Sequence, residues 1–331
     1  MVKFFKLLFL GTLMLGSMIS ISSISWFCSW LGLEINLLSF ITLMKTPSNK
    51  YSTESICKYF LTQAMASFIL LFSIILFTNS KEFNFDLNSL TSTFMSSAIL
   101  MKMGAAPLHF WFPEVASGIS WNSNMILLTW QKIAPMILLS YMNTLPNLMV
   151  LFILSSSIMG SLMGLNQTCL RKILSYSSIN HMSWMISATL CSMNTWLFYF
   201  IIYSCMNMVI IHTLKMWKVY FISQINSFKN NLSKVIFMMN LFSLGGLPPF
   251  TGFVPKWITI NQLSNNSMFS LTLILIIFTL ITLFFYLRIS FSSLALYTNN
   301  SYISKPNNNL TLSIIALMVL PSSITLSMLM L

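Results

Sequence analysis

The chain has 331 residues, of which 56% are hydrophobic and only 7% charged, with a formal net charge of +12. A soluble domain carries about 25% charged residues, so this composition excludes a water-facing globule and points to a polytopic membrane protein. The positive charges sit in short clusters between apolar runs, which excludes a nucleic-acid-binding domain and makes phospholipid headgroups their neighbours. The five cysteines, Cys28, Cys57, Cys169, Cys191 and Cys205, make no CxxC pair and no Cys/His cluster with metal spacing. They are expected to be reduced packing residues.

The N-terminal stretch MVKFFKLLFLGTLMLGSMIS starts like a secretory signal, but no A-x-A cleavage site follows, so it is expected to be a retained first span. A spanning helix needs about 20 mostly apolar residues. Eleven such runs occur, at 4–20, 24–43, 54–77, 88–107, 121–142, 147–165, 172–191, 195–216, 234–261 (interrupted), 268–289 and 310–330. Helices are expected throughout, because lipid cannot satisfy backbone groups and no alternating barrel pattern is present. The loops 217–233 and 290–309 read as polar connectors.

The connections test this count. With eleven spans, one side of the membrane receives Lys3, Lys6, Lys45, Lys50, Lys58, Arg171, Lys172, Lys215, Lys218, Lys229, Lys234, Arg288 and Lys305, thirteen of the seventeen basic residues. The other receives Lys81, offset by Glu82 and Asp86. The positive-inside tendency then puts the N-terminus on the cytoplasm-like side and the C-terminus opposite. These basic residues read as interface anchors. Glu54 suits the first turn of its helix and stands four residues before Lys58.

Four charges remain inside spans: Glu34, Lys102, Lys132 and Lys256. Glu114 lies just after a span. A charge at a helix centre costs about 2.5–3.5 kcal/mol on insertion scales, so such residues face a bundle interior or water and are functional candidates. Glu34 has about ten apolar residues on each side, roughly 15 Å of helix, and needs a buried partner, a water wire or a proton. Lys102 is followed by Gly104 and Pro107, and Pro107 cannot donate to the carbonyl of Met103. Lys132 is followed by Pro135, which deprives the carbonyl of Gln131. Lys256 follows Gly245, Gly246, Pro248, Pro249 and Pro255, which read as the interruption of a discontinuous helix. Three lysines beside breaks in apolar helices is a pattern suited to ions or protons. A lysine held between desolvation and a neighbouring carboxylate can take and release a proton. His109 and His181 are candidate relays, although a lone histidine on an apolar face is more often a hydrogen-bonded packing residue. The segment WFPEVASGISW reads as an interfacial, amphipathic connector. No HExxH, phosphate loop, nucleophile elbow or GxGxxG is present, so no cofactor is expected on this chain.

Three stretches resemble a known family. KMGAAPLHFWFPEV is similar to the broken-helix signature of the antiporter-like membrane subunits of respiratory complex I. LNQTCLRKILSYSSINHMSWM and SLGGLPPFTGFVPKW are similar to two further segments of that family and occur in family order, with WLGLEINLLSFI upstream. Ser183 stands where relatives often have glycine. The resemblance implies an all-α fold with two inverted five-helix repeats, at 23–166 and 167–331, and an extra N-terminal helix at 1–22. It implies discontinuous helices near 102–107 and 245–256. By position, Glu34 corresponds to the buried glutamate that couples to a lysine, Lys102 to that lysine, Lys132 to the central lysine and Lys256 to the ionisable group of the second broken helix. His109 and His181 fall at candidate relay positions. The resemblance also implies proton translocation across the mitochondrial inner membrane, with the N-terminus in the matrix and the C-terminus in the intermembrane space. NADH, FMN, iron–sulfur clusters and ubiquinone would sit on other subunits. Other membrane-arm subunits, antiporter-like neighbours among them, and phospholipids such as cardiolipin would be the partners. Two other readings stay open on the residues alone: a stand-alone cation/proton antiporter, and a structural membrane-arm subunit without its own proton path.

Overall fold

The structure, a computed structural model, describes residues 2–45, 50–79, 88–142, 144–227 and 231–295. The described residues form helices α1 (Val2–Ser22), α2 (Trp26–Met44), α3 (Lys50–Asn79), α4 (Asn88–Met103), α5 (Trp111–Gly118), α6 (Trp121–Leu128), α7 (Trp130–Ser140), α8 (Pro146–Leu165), α9 (Leu170–Cys191), α10 (Met193–Trp217), α11 (Asn231–Gly245), α12 (Phe253–Asn265) and α13 (Phe269–Ala295). A short 3-10 turn covers Ile222–Ser227. An isolated backbone bridge joins Cys169 to Phe221.

Each of the first ten apolar runs falls on helix. The eleventh, 310–330, lies outside the described residues, as do Lys81, Glu82, Asp86, Lys229 and Lys305. Six of the described helices, α1, α2, α3, α8, α10 and α13, are long and apolar enough to cross a membrane. Helix α9 has the length but not the apolarity: it carries Ser175, Ser177, Ser178, Asn180, His181, Ser183 and Ser187, all buried. A helix surrounded by protein can carry such groups, and its serines need no neighbour to do so. The hydroxyls of Ser175, Ser177, Ser178, Ser183 and Ser187 each donate to the carbonyl three residues earlier, at 2.6–2.9 Å.

The chain divides into two compact units, residues 1–152 and 153–331. In the first, α1 lies against α2 at small residues, so close that a Cβ on Gly32 would stand 2.6 Å from the backbone nitrogen of Ser20. Helix α5 packs on α3 and turns Trp111, Phe112, Val115 and Ala116 inward. The expected interfacial connector is therefore a bundle element, because its aromatic residues fill the interior rather than the headgroup layer. Its one acidic residue, Glu114, faces outward and pairs with Lys58 at 2.7 Å, and Lys58 also meets Glu54 at 2.7 Å. In the second unit α9 is the central helix, packed by α10, α12 and α13. Arg288 is no loop anchor: it lies within α13 and donates to the carbonyls of Leu165 and Gln167, at the C-terminal end of α8. That is where a cation best satisfies orphan carbonyls. All five cysteines are free, and Cys28, Cys57 and Cys205 are exposed on helix surfaces rather than packed inside.

One contact in the second unit is intolerant of any side chain. A Cβ on Gly252 would lie 1.7 Å from the carbonyl oxygen of Ser243. Backbone on both sides leaves no flexible group to give way. Gly252→Ala is expected to cost more than the ~1–3 kcal/mol of ordinary overpacking. The check is the thermal midpoint of the detergent-solubilised protein, which should fall or vanish.

Candidate functional site

The first helix break is made by a glycine. Helix α4 ends at Met103, and Gly104 adopts φ +77°. The amide of Ala105 donates to the carbonyl of Leu100 and that of Gly104 to Met101, both at 3.1 Å. This is a Schellman ending, which needs a left-handed residue at the glycine position. Pro107 therefore does not cause the break, since the helix has stopped four residues before it. The end is not loose either. The carbonyl of Met101 also accepts from Trp111 Nε1 at 3.3 Å, and that of Lys102 accepts from Gln63 Nε2 at 3.1 Å. Lys102 stands in the last turn of α4, where the helix dipole favours a cation.

Lys102 meets Glu34 of α2, with Nζ 3.4 Å from Oε1. The lysine side chain is 4% exposed and the glutamate 25%. A tight ammonium–carboxylate bond is about 2.7–2.9 Å, so the pair is associated but not closed. Beside it lies a cavity of about 10 Å³, lined by Tyr59, Lys102, Trp111, Phe112, Gln131 and Lys132 among others. That is the lower limit for a single water position. Two of the buried lysines thus face one small space.

Lys132 is 1% exposed, and its Nζ lies 5.7 Å from the centre of the Phe112 ring. The break beside it is at Thr129, where α6 gives way to α7 with φ −115° and ψ −75°, six residues before Pro135. Pro135 itself lies inside α7. The chain meets its cost by bending upstream rather than by opening at the proline. Gln131, next to Lys132, donates from Nε2 to Oδ1 of Asn36 on α2 at 2.8 Å.

In the second unit, α11 ends as α4 does. Gly246 has φ +81°, its amide donates to Ser243 at 3.0 Å, and that of Leu247 donates to Phe242 at 3.3 Å. Gly245 is the last helical residue, Pro248 and Pro249 lie in the turn, and Pro255 lies in the first turn of α12, where proline is tolerated. The interruption is thus 246–252, and neither Gly245 nor Pro255 makes it. Lys256 points back at the open end: Nζ donates to the carbonyls of Gly245 at 2.8 Å and Leu244 at 3.4 Å. A Cβ on Gly246 would lie 2.9 Å from that Nζ.

The two histidines fare differently. His109 is buried on the loop between α4 and α5, with Nδ1 3.3 Å from the Pro107 carbonyl and its ring on Phe110. Its bond is to its own loop. His181 is buried in α9, with Nδ1 2.8 Å from the hydroxyl of Tyr199 and its ring 5.0 Å from that of Tyr203. Tyr203 in turn bonds the side chains of Ser178 and Asn207. A reading that weighs charges alone misses Asn36, Gln63, Gln131, Tyr59 and Tyr199. The available signal was uncharged polar side chains in mid-span: Asn36 two residues from Glu34, and Gln131 beside Lys132.

Comparison with known proteins gives the family. A family model described as NADH:quinone oxidoreductase/Mrp antiporter, TM, matches residues 23–282. A protein of Locusta migratoria named NADH-ubiquinone oxidoreductase chain 2 is 47% identical over 307 residues, 92% of this chain and 90% of its own length. The protein of that name from Anopheles gambiae is 48% identical over 316 residues, 94% of this chain and 92% of its own. Among solved structures, a chain of respiratory complex I from Thermus thermophilus superposes with a TM-score of 0.87 at 21% identity, over 97% of this chain and 78% of that one. A chain of the Mrp complex from Dietzia superposes with a TM-score of 0.73 at 16% identity, over 89% of this chain and 61% of that one. The two superpositions are likenesses of fold, while the family model and the insect relatives carry the assignment: the chain belongs to the NADH:quinone oxidoreductase/Mrp antiporter family, within its NADH-ubiquinone oxidoreductase chain 2 group.

Proposed function

We propose that this chain is a membrane-arm subunit of respiratory complex I that takes part in proton translocation, and that Glu34, Lys102, Lys132 and Lys256 hold the moving protons. The observation that carries the residue assignment is the Glu34–Lys102 pair at the end of a broken helix, opening on a cavity that Lys132 also lines. Quinone chemistry elsewhere in the complex changes the field along the membrane arm. Widening or closing the 3.4 Å pair changes how tightly Lys102 holds its proton. Each pKa unit of change is about 1.4 kcal/mol, so a small displacement redistributes the proton. The cavity supplies the exchange point with Lys132. Lys256 serves the second unit. Its cap on α11 uses two N–H groups, and a neutral amine still has two, so the proton can leave with both cap bonds kept.

In this reading the full chain has eleven spans in two inverted repeats, 23–166 and 167–331, after an extra helix at 1–22. It sits in the mitochondrial inner membrane with its N-terminus in the matrix. NADH, FMN, iron–sulfur clusters and ubiquinone belong to other subunits, and anionic lipid such as cardiolipin meets the basic connectors. His181 acts with Tyr199 as the relay in α9, and His109 is the weaker relay candidate because its bond is to its own loop. A stand-alone cation/proton antiporter is the second reading, favoured by the likeness to the Mrp complex chain. Native electrophoresis of mildly solubilised membranes separates them: migration with a large NADH-oxidising assembly supports the first, and a small band without that activity the second.

Lys102→Met is expected to lower proton pumping per assembled complex about tenfold or more, a factor of ten being the scale of one pKa unit, about 1.4 kcal/mol. Pumping by reconstituted complex, normalised to assembled protein, is the check, and an unchanged proton yield per NADH would sink the assignment. Glu34→Gln should reduce pumping in the same assay while sparing assembly. Lys256→Met should act twice, on pumping and on stability. It leaves two buried carbonyls without their donor, at about 1–3 kcal/mol each, so the thermal midpoint should fall as well.

A further inference from the structure

The first turn of α7 sends three consecutive side chains to three places. Trp130 donates from Nε1 to the hydroxyl of Ser17 on α1 at 3.2 Å. Gln131 donates from Nε2 to Oδ1 of Asn36 on α2 at 2.8 Å. Lys132 enters the cavity that Lys102 lines. Both acceptors are buried, Ser17 at 1% exposure and Asn36 at 3%. Neighbouring residues on a helix are separated by about 100° of rotation, from 3.6 residues per turn. Two anchored neighbours therefore fix the direction in which the third points. The anchors lie just after the irregular residue Thr129, where α6 gives way to α7.

The anchors themselves are tied together. Gly16, beside Ser17, lies so close to α2 that a Cβ there would stand 2.9 Å from the backbone nitrogen of Asn36. Asn36 stands two residues from Glu34 on the same helix. The elements that hold Lys132 are thus the one that carries the partner of Lys102 and the one packed against it. We infer that the Gln131–Asn36 and Trp130–Ser17 hydrogen bonds are positioning contacts that aim Lys132 at the cavity it shares with Lys102, which makes the N-terminal helix α1 part of the proton path. The inference rests on the proposed proton-carrying role of Lys132. Gln131 and Asn36 hold no proton in it; they act through the lysine.

The test uses assembled complex carrying variants of this chain, with pumping measured per assembled complex in sealed vesicles. Gln131→Met removes the donor at similar volume and should lower pumping roughly tenfold, within the range that a displacement near 1 Å can cause. Asn36→Leu should lower it by the same factor, and the two together by no more than either alone, since they break one contact. The exchanged pair, Gln131→Asn with Asn36→Gln, keeps donor, acceptor and total reach, and should recover most of the rate. Trp130→Phe should give a smaller loss. Normal pumping in Gln131→Met, where Lys132→Met is silent, overturns the positioning role and leaves that of Lys132 standing. Normal pumping in Lys132→Met overturns both. A loss confined to the amount of assembled complex, or an exchanged pair that assembles fully yet does not recover, makes the contact structural and overturns the inference.

Discussion

Everything in this structure is arranged around a single difficulty, the presence of ammonium groups where the surroundings cannot solvate them. A charge in a low-dielectric interior must be paired or coordinated. The three buried lysines meet that demand in three ways. Lys102 has a carboxylate at 3.4 Å. Lys132 lies over an aromatic ring and beside a small cavity that Lys102, Tyr59 and Gln131 also line. Lys256 takes the carbonyls of a helix end. The solvation of each is built from material a membrane bundle has to hand, and for Lys256 that material is the end of a helix.

Helix ends explain the glycines. An interrupted span leaves carbonyls that lipid cannot satisfy. A left-handed glycine closes the last turn on itself and satisfies part of the set, at Gly104 and again at Gly246. What remains is taken by side chains: Gln63 and Trp111 at the first end, Lys256 at the second. Arg288 does the same for the end of α8. The polar side chains of the interior are consequently spent on backbone as much as on one another. The buried serines of α9 each donate to their own helix, and Ser177 and Ser178 also meet Tyr286 and Tyr203 on neighbouring helices.

The all-helical character and the order of the described helices were legible because apolar length is a strong signal, and so were the four interior charges, because nothing else in an apolar run carries one. The pairing of Glu34 with Lys102 came from family resemblance, since 68 residues separate them and no spacing rule links α2 to α4. The breaks were legible in part: Gly104 and Gly246 do make them, and the prolines beside them do not. Proline is conspicuous in sequence, but at 107 and 255 it sits where the backbone has already turned or where a helix is only starting, and at 135 a helix absorbs it. The burial of α5 was illegible for a related reason: WFPEV has the composition of an interface, and only tertiary packing against α3 decides that its rings turn inward. Asn36 and Gln131 are uncharged and so drew no notice, although their amides join two helices.

The first and second units solvate their lysines on different terms, and this decides which of them can respond to a distant charge. The partner of Lys102 is itself ionisable and sits on another helix, so movement of α2 or neutralisation of Glu34 changes what the ammonium experiences. The partners of Lys256 are backbone carbonyls of the element it closes, which neither titrate nor move apart from the break itself. A change of field can therefore be converted into a change of proton affinity at Lys102 through geometry, whereas at Lys256 it acts on the charge directly. In the function proposed, coupling of chemistry to position belongs to the site whose counter-charge is a titratable side chain on another helix. In this chain that site is the one between α2 and α4, which is also where the cavity, the second lysine and the contacts that aim it are found.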